Sequence, residues 1–381
     1  MRVRPGCTLV ALMVICGAAQ TALAQKAPVP PAKKNPLLKL TEPWPEEAVL
    51  QARRTESDRR HLFKEIEPLA FTLTADFGAI HKERNPESIA RFPAVLSVPG
   101  ERGAERNVAV KLGTRGHFRL MARNCDFVPL RVELPRDKTT DGTPFDGQTT
   151  LKLGTHCRGD KAYDNYTLRE YLTYRLFNLV TPLSFRARLA RASYVDAKTH
   201  KNIATRYSIF IEHENEVARR FGGRVVELPR IVFTDLEQKT LTRMMLFEYM
   251  IGNTDFSIWA LHNVRIVQDR ARTLYPVPYD FDLSGLVNAP YGRPDPRLGL
   301  RSVTDRLYRG PCRSADDFEA AAESFRARRA DMFTLLDSMR DLEAGARAEA
   351  KDYLESFFRT IERPASIKRQ FVDGCKPAPT M

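Results

Sequence analysis

The pattern of apolar residues changes along the chain, and this change limits the folds that the chain can adopt. Residues 46–160 contain short alternating segments separated by clusters of Gly, Pro and Asp, which predicts an antiparallel sheet. Helical spacing dominates later, in segments 315–339 and 343–362. A chain of 381 residues can bury a large core in one domain or in two closely packed lobes. The sequence therefore predicts a two-lobed α+β fold with an antiparallel N-terminal sheet and a helical C-terminal part.

Individual elements follow from the same patterns. The predicted strands are 69–75, 94–98, 108–112, 128–134, 149–153, 189–195 and 203–212. The predicted helices are 165–179 and 236–251, besides the two C-terminal segments. For helix 236–251, Asp235 is the predicted cap, Gln238 its capping-box partner, and Gly252 the residue that ends the helix.

The first 24 residues are typical of an export signal. Arg2 and Arg4 precede an apolar run at residues 9–18, and Ala22-Leu23-Ala24 has the form of a cleavage site. The apolar run is too short to span a bilayer. We therefore expect a periplasmic or secreted protein without a transmembrane segment after cleavage, beginning with a Pro-rich, Lys-rich linker over residues 25–45.

The expected mature chain is strongly basic. Of 60 Lys and Arg residues two lie in the signal, which leaves 58 against 47 acidic residues and a net charge of +11. Such a surface attracts anions of many kinds, including nucleotides, phosphorylated polymers and lipid head groups. The charge alone does not choose among them, and no specific nucleic-acid partner is predicted.

Four cysteines remain after the predicted cleavage, an even number that in an exported protein favours disulfides. Four cysteines allow three pairings. Pairs that close local segments are favoured, namely Cys125–Cys157 and Cys312–Cys375. The alternative is a zinc site that adds His117 or His156 to Cys125 and Cys157, although no C-x-x-C spacing supports it.

Residues 253–282 carry the most distinctive polar side chains: Asn253-Thr254-Asp255, His262-Asn263 and Asp280-Phe281-Asp282. The alternating segments 264–267 and 273–279 predict a hairpin, and a turn centred between residues 271 and 272 would place Asn263 opposite Asp280. The hairpin would then gather four oxygen-bearing side chains at one end: Asp255, Asn263, Asp280 and Asp282. Oxygen ligands suit Mg²⁺ or Mn²⁺, and neighbouring carboxylates favour a bound cation. The alternative is that these side chains serve local turns or face solvent.

Metal ions held in this way support phosphoryl transfer, in which one carboxylate orients the attacking hydroxyl. Basic side chains that could reach the donor phosphates are Lys111, Arg115, Arg119, Arg131 and Lys152. Each of them could equally be an ordinary surface charge. Gly113 and Gly116 form neither a Walker loop nor a G-x-G-x-x-G motif, so no phosphate-cradling loop is predicted.

Four stretches, in order, resemble the CotH kinase-like family, which is named for a spore-coat protein kinase with an atypical kinase fold. They are 114–119 with 125–134, 145–153 with 164–168, 209–214, and the residues of 253–282 named above. The resemblance covers roughly residues 65–290, and its last segment is the most specific. It implies a kinase-like domain over 46–290, with a helical extension over 291–381 packed on it.

The resemblance also implies roles for single residues. Asp255 would be the catalytic aspartate, and the metal would be held by Asp280 with Asn263 and Asp282. Lys152 or Arg131 would contact the phosphates of ATP or another nucleotide. Glu212 or Glu214 would orient the basic group.

Three functions remain open at this point. The first is an exported, metal-dependent phosphotransferase acting on a hydroxyl of a protein or glycan at the cell envelope. The second is a catalytically inactive relative that binds an anionic polymer or partner there. The third is a metal-dependent phosphoesterase that uses the same carboxylates on water.

Overall fold

A computed structural model describes residues 37–99 and 104–375, together with Met1 and Asn35. The predicted signal and most of the predicted linker lie outside the described residues. The strands are β1 (Leu69–Ala75), β2 (Phe92–Pro99), β3 (Glu105–Thr114), β4 (Leu130–Glu133), β5 (Thr150–Gly154), β6 (Ala187–Asp196), β7 (Asn202–Ile211), β8 (Arg224–Val226), β9 (Val264–Gln268) and β10 (Leu274–Pro278). The helices are α1 (Leu38–Thr41), α2 (Glu47–Arg59), α3 (Phe77–Ile80), α4 (Tyr163–Val180), α5 (Glu214–Phe221), α6 (Gln238–Ile251), α7 (Ala315–Arg326), α8 (Arg329–Ser338), α9 (Ala344–Ile361) and α10 (Pro364–Ile367).

Seven strands close into a mixed barrel in the order β1-β2-β3-β4-β5-β7-β6. Neighbouring strands are antiparallel except at the closure, where β6 runs parallel to β1 from Leu69↔Ala190 to Ala75↔Asp196. The predicted two-lobed, kinase-like fold with an open antiparallel N-terminal sheet is therefore wrong. Strands β6 and β7, which follow α4 in sequence, return to the first five strands and seal both edges of the sheet.

Side chains fill the barrel interior, where Phe71, Leu73, Tyr194 and Phe210 are among the buried residues. Ala190 and Ala192 face the same interior and leave room for these rings. A second core lies outside the barrel, between the outer faces of β6 and β7, helices α4 and α6, and the C-terminal helices. Strands β8, β9 and β10 form a separate sheet in the order β10-β9-β8 beside this second core.

Two disulfides are present, Cys125–Cys157 and Cys312–Cys375, and they are the pairs that the sequence favours. Because Cys125 and Cys157 are bonded to each other, the zinc alternative with His117 or His156 is wrong. Disulfides are typical of exported proteins. Within the described residues, no helix combines the length and the apolar character that crossing a bilayer requires.

Candidate functional site

Asp255 lies shortly after the C-terminal end of helix α6. The helix ends at Gly252, which adopts a left-handed conformation with φ 65°, and the buried Asn253 follows. The backbone N–H of Asp255 donates to Oδ1 of Asn253 at 3.0 Å, which forms a tight turn. The side chain of Asp255 is 38% exposed, so a ligand can reach its carboxylate.

Two neighbours hold the Asp255 carboxylate in place. Nδ2 of Asn263 donates to Oδ2 of Asp255 at 3.0 Å and to its backbone oxygen at 2.7 Å. Nε2 of His262 lies 3.2 Å from Oδ1 of the same carboxylate. This hydrogen bond raises the pKa of His262 although burial opposes the shift. The sequence gives no partner for His262 and places Asn263 opposite Asp280, whereas the structure joins both side chains to Asp255.

The hairpin register differs by one residue from the prediction. Strand β9 pairs with β10 from Val264↔Pro278 to Gln268↔Leu274, so the turn is centred on Ala271. Asn263 therefore lies opposite Tyr279, whose backbone N–H donates to the Asn263 oxygen at 3.0 Å. The expected pairing of Asn263 with Asp280 is wrong because Arg272, with φ 67°, allows a tighter turn over residues 269–273.

Asp280 and Asn263 both adopt left-handed backbone conformations, with φ 68° and 54°. Such conformations are uncommon outside glycine, and Asn and Asp tolerate them best. The backbone N–H of Asp280 donates to the hydroxyl of Tyr174 on α4 at 2.9 Å. Helix α4 and the hairpin therefore fix the position of Asp280 together.

Three carboxylates, those of Glu170, Asp280 and Asp282, interact electrostatically beside this hairpin. Asp282 and Glu170 of α4 are buried, and burial raises the pKa of both groups. The negative charges of the cluster add to the effect, since Asp280 raises the pKa of Asp282 and Asp282 raises that of Glu170. The cluster therefore favours a bound cation or a shared proton.

Arg119 partly balances this negative charge. Burial opposes its charged form, but Tyr291 and the nearby carboxylates outweigh burial and raise the pKa of Arg119. The hydroxyl of Tyr291 donates to Oδ2 of Asp282 at 3.3 Å. Sequence reasoning missed Glu170, because a single Glu on a helix looks like a surface residue until the fold is known.

Basic side chains line the barrel side of the same region. Nζ of Lys152 on β5 donates to Oε2 of Glu214 at 2.8 Å, at the start of α5. Burial lowers the pKa of Lys152 to about 8, and the charge of Arg115 adds to the shift. Burial would raise the pKa of Glu214, but Lys152 outweighs it and lowers this pKa to about 2.

Aromatic rings join the basic and acidic sides. Nζ of Lys152 lies 4.6 Å from the ring centre of Tyr279, and the guanidinium of Arg265 lies 4.6 Å from the same ring. Tyr279 precedes Asp280 directly, so this contact brings the basic group next to the hairpin acids. Arg131 faces Lys152 across the β4–β5 ladder.

Only one of the two candidate glutamates contacts Lys152. Glu214 forms the ion pair, whereas Glu212 receives hydrogen bonds from Nε and Nη2 of Arg220, each at 2.8 Å. The backbone N–H of Arg186 also donates to Glu212, at 3.0 Å. Glu212 thus fixes the end of β7 and does not touch the basic group.

Glu248 on α6 is a further buried acid that the sequence did not reveal. Neither carboxylate oxygen has a hydrogen-bond partner among the described residues, and the same is true of Nδ2 of Asn253. Burial raises the pKa of Glu248 to about 8, while the facing amide of Asn253 and the charge of Arg309 oppose the shift. Burial therefore favours the protonated form of Glu248, whose backbone oxygen accepts from the N–H of Asn253 at 2.8 Å, two residues before Asp255.

The oxygen donors of the site match the chemistry of Mg²⁺ or Mn²⁺, but they do not enclose an ion by themselves. Among the described residues, no three His, Cys, Asp or Glu side chains lie close enough to hold a metal ion. Mg²⁺ commonly takes one or two carboxylates, with substrate phosphates and water completing its coordination. Asp280 and Asp282 fit that limited role.

No protein-family model matches the chain, and no curated protein matches it.

Proposed function

We propose that this chain is an exported phosphotransferase that moves a phosphoryl group from a nucleotide to a hydroxyl of a protein or glycan at the cell envelope. The observation that carries the proposal is the Lys152–Glu214 ion pair lying against Tyr279, the residue before Asp280. A paired lysine beside a group of carboxylates gives a cationic end for phosphates and an anionic end for an acceptor hydroxyl. The resemblance to the CotH kinase-like family includes the same residues and supports the proposal. The proposal does not rest on the fold.

Asp255 is the proposed base. In the transfer step, the acceptor oxygen forms a bond to the terminal phosphorus of the donor while the bond from phosphorus to the leaving oxygen breaks. The acceptor proton passes to the Asp255 carboxylate, whose two oxygens are oriented by Asn263 and His262. The fixed hydrogen bonds hold the carboxylate in one orientation, which favours proton removal along a defined direction.

Lys152 and Arg115 are the proposed donor-binding groups. Glu214 holds the ammonium of Lys152 on β5, and the half-buried Arg115 lies close enough to depress the pKa of Lys152. Both cations stabilise the negative charge that develops on the leaving phosphate. A divalent ion held by Asp280 and Asp282, with Asn263 nearby, would neutralise the remaining phosphate oxygens.

Export to the periplasm or the outside of the cell belongs to the same proposal. The two disulfides support it, since such bonds persist in oxidising compartments. The predicted export signal over residues 1–24 would direct the chain out of the cytoplasm.

The test is transfer of labelled terminal phosphate from several nucleotides, with Mg²⁺ or Mn²⁺, to envelope proteins and glycans. Asp255→Asn should abolish transfer, and the matched control Asp316→Asn, an exposed acid on α7, should leave it unchanged. Label released only as inorganic phosphate would favour the phosphoesterase. Nucleotide binding that needs no metal and leads to neither product would reject both enzymes.

The second candidate is a catalytically inactive protein that binds an anionic partner. The observation that favours it is the cationic group formed by Arg115, Arg131, Lys152 and Arg265 together with the lack of an enclosed metal site among the described residues. This protein would bind polyanions with an affinity that falls steeply as salt rises, and it would transfer nothing.

A further inference from the structure

A cavity of about 300 Å³ is lined in part by Tyr291, the hydrogen-bond partner of Asp282. Three arginines line it, Arg123, Arg158 and Arg293, together with Tyr163 and Tyr291. Its opening is therefore strongly basic and partly aromatic. None of the three arginines takes part in the proposed transfer.

Two of the arginines, Arg158 and Arg293, are positioned by backbone carbonyls and not by acids. Nε of Arg158 donates to the Asn124 oxygen at 3.2 Å, and its Nη2 donates to the Arg123 oxygen at 2.6 Å. Nη1 of Arg293 donates to the oxygens of Pro290 and Gly292 at 3.1 and 2.8 Å. Among the residues that the structure describes, no carboxylate forms an ion pair with any of the three arginines. Three positive charges thus meet at one small cavity without a balancing anion.

A disulfide holds two of the arginine-bearing loops together. Cys125 follows Asn124 and Cys157 precedes Arg158, so the bond between these cysteines fixes one loop against the other. Backbone N–H groups of Asp126 and Phe127 both donate to the Cys157 oxygen, at 2.9 and 3.2 Å. The spacing of the cations is therefore built into the fold.

The aromatic wall connects the cavity to the proposed transfer site. Tyr163 and Tyr291 lie nearly parallel, with ring centres 6.5 Å apart and planes inclined by 18°. The hydroxyl of Tyr291 donates to Oδ2 of Asp282. A molecule in the cavity would lie one side chain away from the carboxylates.

We propose that this cavity binds an oxyanion carried by the acceptor, so that the acceptor of the transfer is an anionic molecule. Guanidinium groups match carboxylate and phosphate oxygens with two parallel hydrogen bonds, and both groups share that chemistry. The volume lies at the lower end of the range for ligand cavities, which suits one charged ring and not a whole nucleotide. The donor phosphates belong to Lys152 and Arg115 instead. The inference rests on the proposed function, but the binding it describes can be measured without it.

The test is calorimetric titration of the full chain, without nucleotide, with glucuronate, glucose 6-phosphate and neutral glucose. We expect both anions to bind and glucose not to bind, and the stronger of the two shows whether the cavity prefers a carboxylate or a phosphate. Loss of one charged hydrogen-bonding group weakens binding by roughly tenfold or more. The double variant with Arg158→Gln and Arg293→Gln should therefore bind both anions about 100-fold more weakly than the wild type. The control Arg297→Gln removes the same charge from an exposed arginine that Asp295 already pairs, and it should bind like the wild type.

Arg123→Gln gives an independent check, because this side chain is exposed and its one hydrogen bond among the described residues goes to the Met121 sulfur, so its loss should not disturb folding. It should weaken anion binding by about tenfold. Unchanged binding in both cavity variants, or binding lost in Lys152→Gln instead, would overturn the inference.

The two proposals fail in different ways. If the cavity variants bind anions normally while the wild type transfers phosphate, the cavity assignment is wrong and the phosphotransferase stands. If anions bind in the cavity but no donor yields transfer, the cavity stands and the enzyme proposal is wrong.

Discussion

At the scale of single residues, buried acids decide how the stability of this protein depends on pH. Glu248 has a pKa raised to about 8 in the folded chain, against about 4.5 in an unfolded one. The folded state keeps a proton that the unfolded state loses, so stability falls as pH rises from about 4.5 to about 8. Each pH unit in that window costs up to about 1.4 kcal/mol for this group.

We therefore expect Glu248→Gln to flatten the pH dependence. Glutamine has nearly the same shape, carries no charge at any pH, and can still face the amide of Asn253. Denaturant unfolding at pH 5, 6.5 and 8 should show a smaller decline in the free energy of unfolding than in the wild type. Glu362→Gln, at an exposed position, should follow the wild type. Parallel curves for wild type and Glu248→Gln would show that this acid is not buried as described.

Asp280 tests the proposed cation at the same scale. Asp280→Asn keeps the left-handed backbone at this position, because asparagine tolerates φ 68° as well as aspartate does. We expect the thermal stabilisation by Mn²⁺ or Mg²⁺ to vanish. The metal-free variant should be at least as stable as the wild type, because one charge has left the repulsive cluster with Asp282 and Glu170. A melting shift equal to that of the wild type would mean that the ion binds elsewhere.

At the scale of elements, the sequence predicts most local structure correctly. Strands β1, β2, β3, β6 and β7 and helices α4, α6 and α9 lie within a few residues of the predicted segments. Gly252 ends α6 as predicted. The capping residue differs, because Glu237 caps the helix through Lys239 and Thr240 while Asp235 serves the turn before it. Local patterns carry this information, because capping residues and alternation act within a few positions.

The Cys312–Cys375 disulfide gives a prediction at the element scale. It ties the segment before α7 to the end of the described chain and closes 63 residues. Replacing both cysteines by serine should lower the free energy of unfolding by ~4 kcal/mol, since the unfolded chain regains the entropy of that loop. Denaturant unfolding of the oxidised wild type and the double variant would measure the loss. A difference under about 1 kcal/mol would contradict the estimate.

At the scale of the whole molecule, barrel closure could not be predicted. Alternation shows which residues share a face of a strand, but it does not name the neighbouring strand. The parallel contact of β1 with β6 joins residues more than 100 positions apart. One feature of β6 is consistent with closure, since Ala187 to Ala190 are buried on both faces of the strand. A short apolar run of that kind has several explanations in a sequence.

The candidate site shows the same limit. Asp255, Asn263, Asp280 and Lys152 stand out in the sequence because they lie in recognisable segments. Glu170, Glu248 and Arg293 do not, since each is one polar residue whose role depends on a distant partner. The one-residue error in the hairpin register has a similar origin, because the alternation of apolar residues in the strands does not predict the left-handed conformation of Arg272.

The central claim is that donor binding and transfer depend on different ends of one site. We would measure nucleotide binding and phosphoryl transfer side by side for the wild type, Asp255→Asn and Lys152→Met. Asp255→Asn should bind the donor like the wild type and lose about 10²–10⁴-fold in transfer, because its carboxylate acts on the acceptor. Lys152→Met should lose donor binding and transfer together. Transfer that persists within a few-fold in Asp255→Asn, or donor binding that is unchanged in Lys152→Met, would contradict the account.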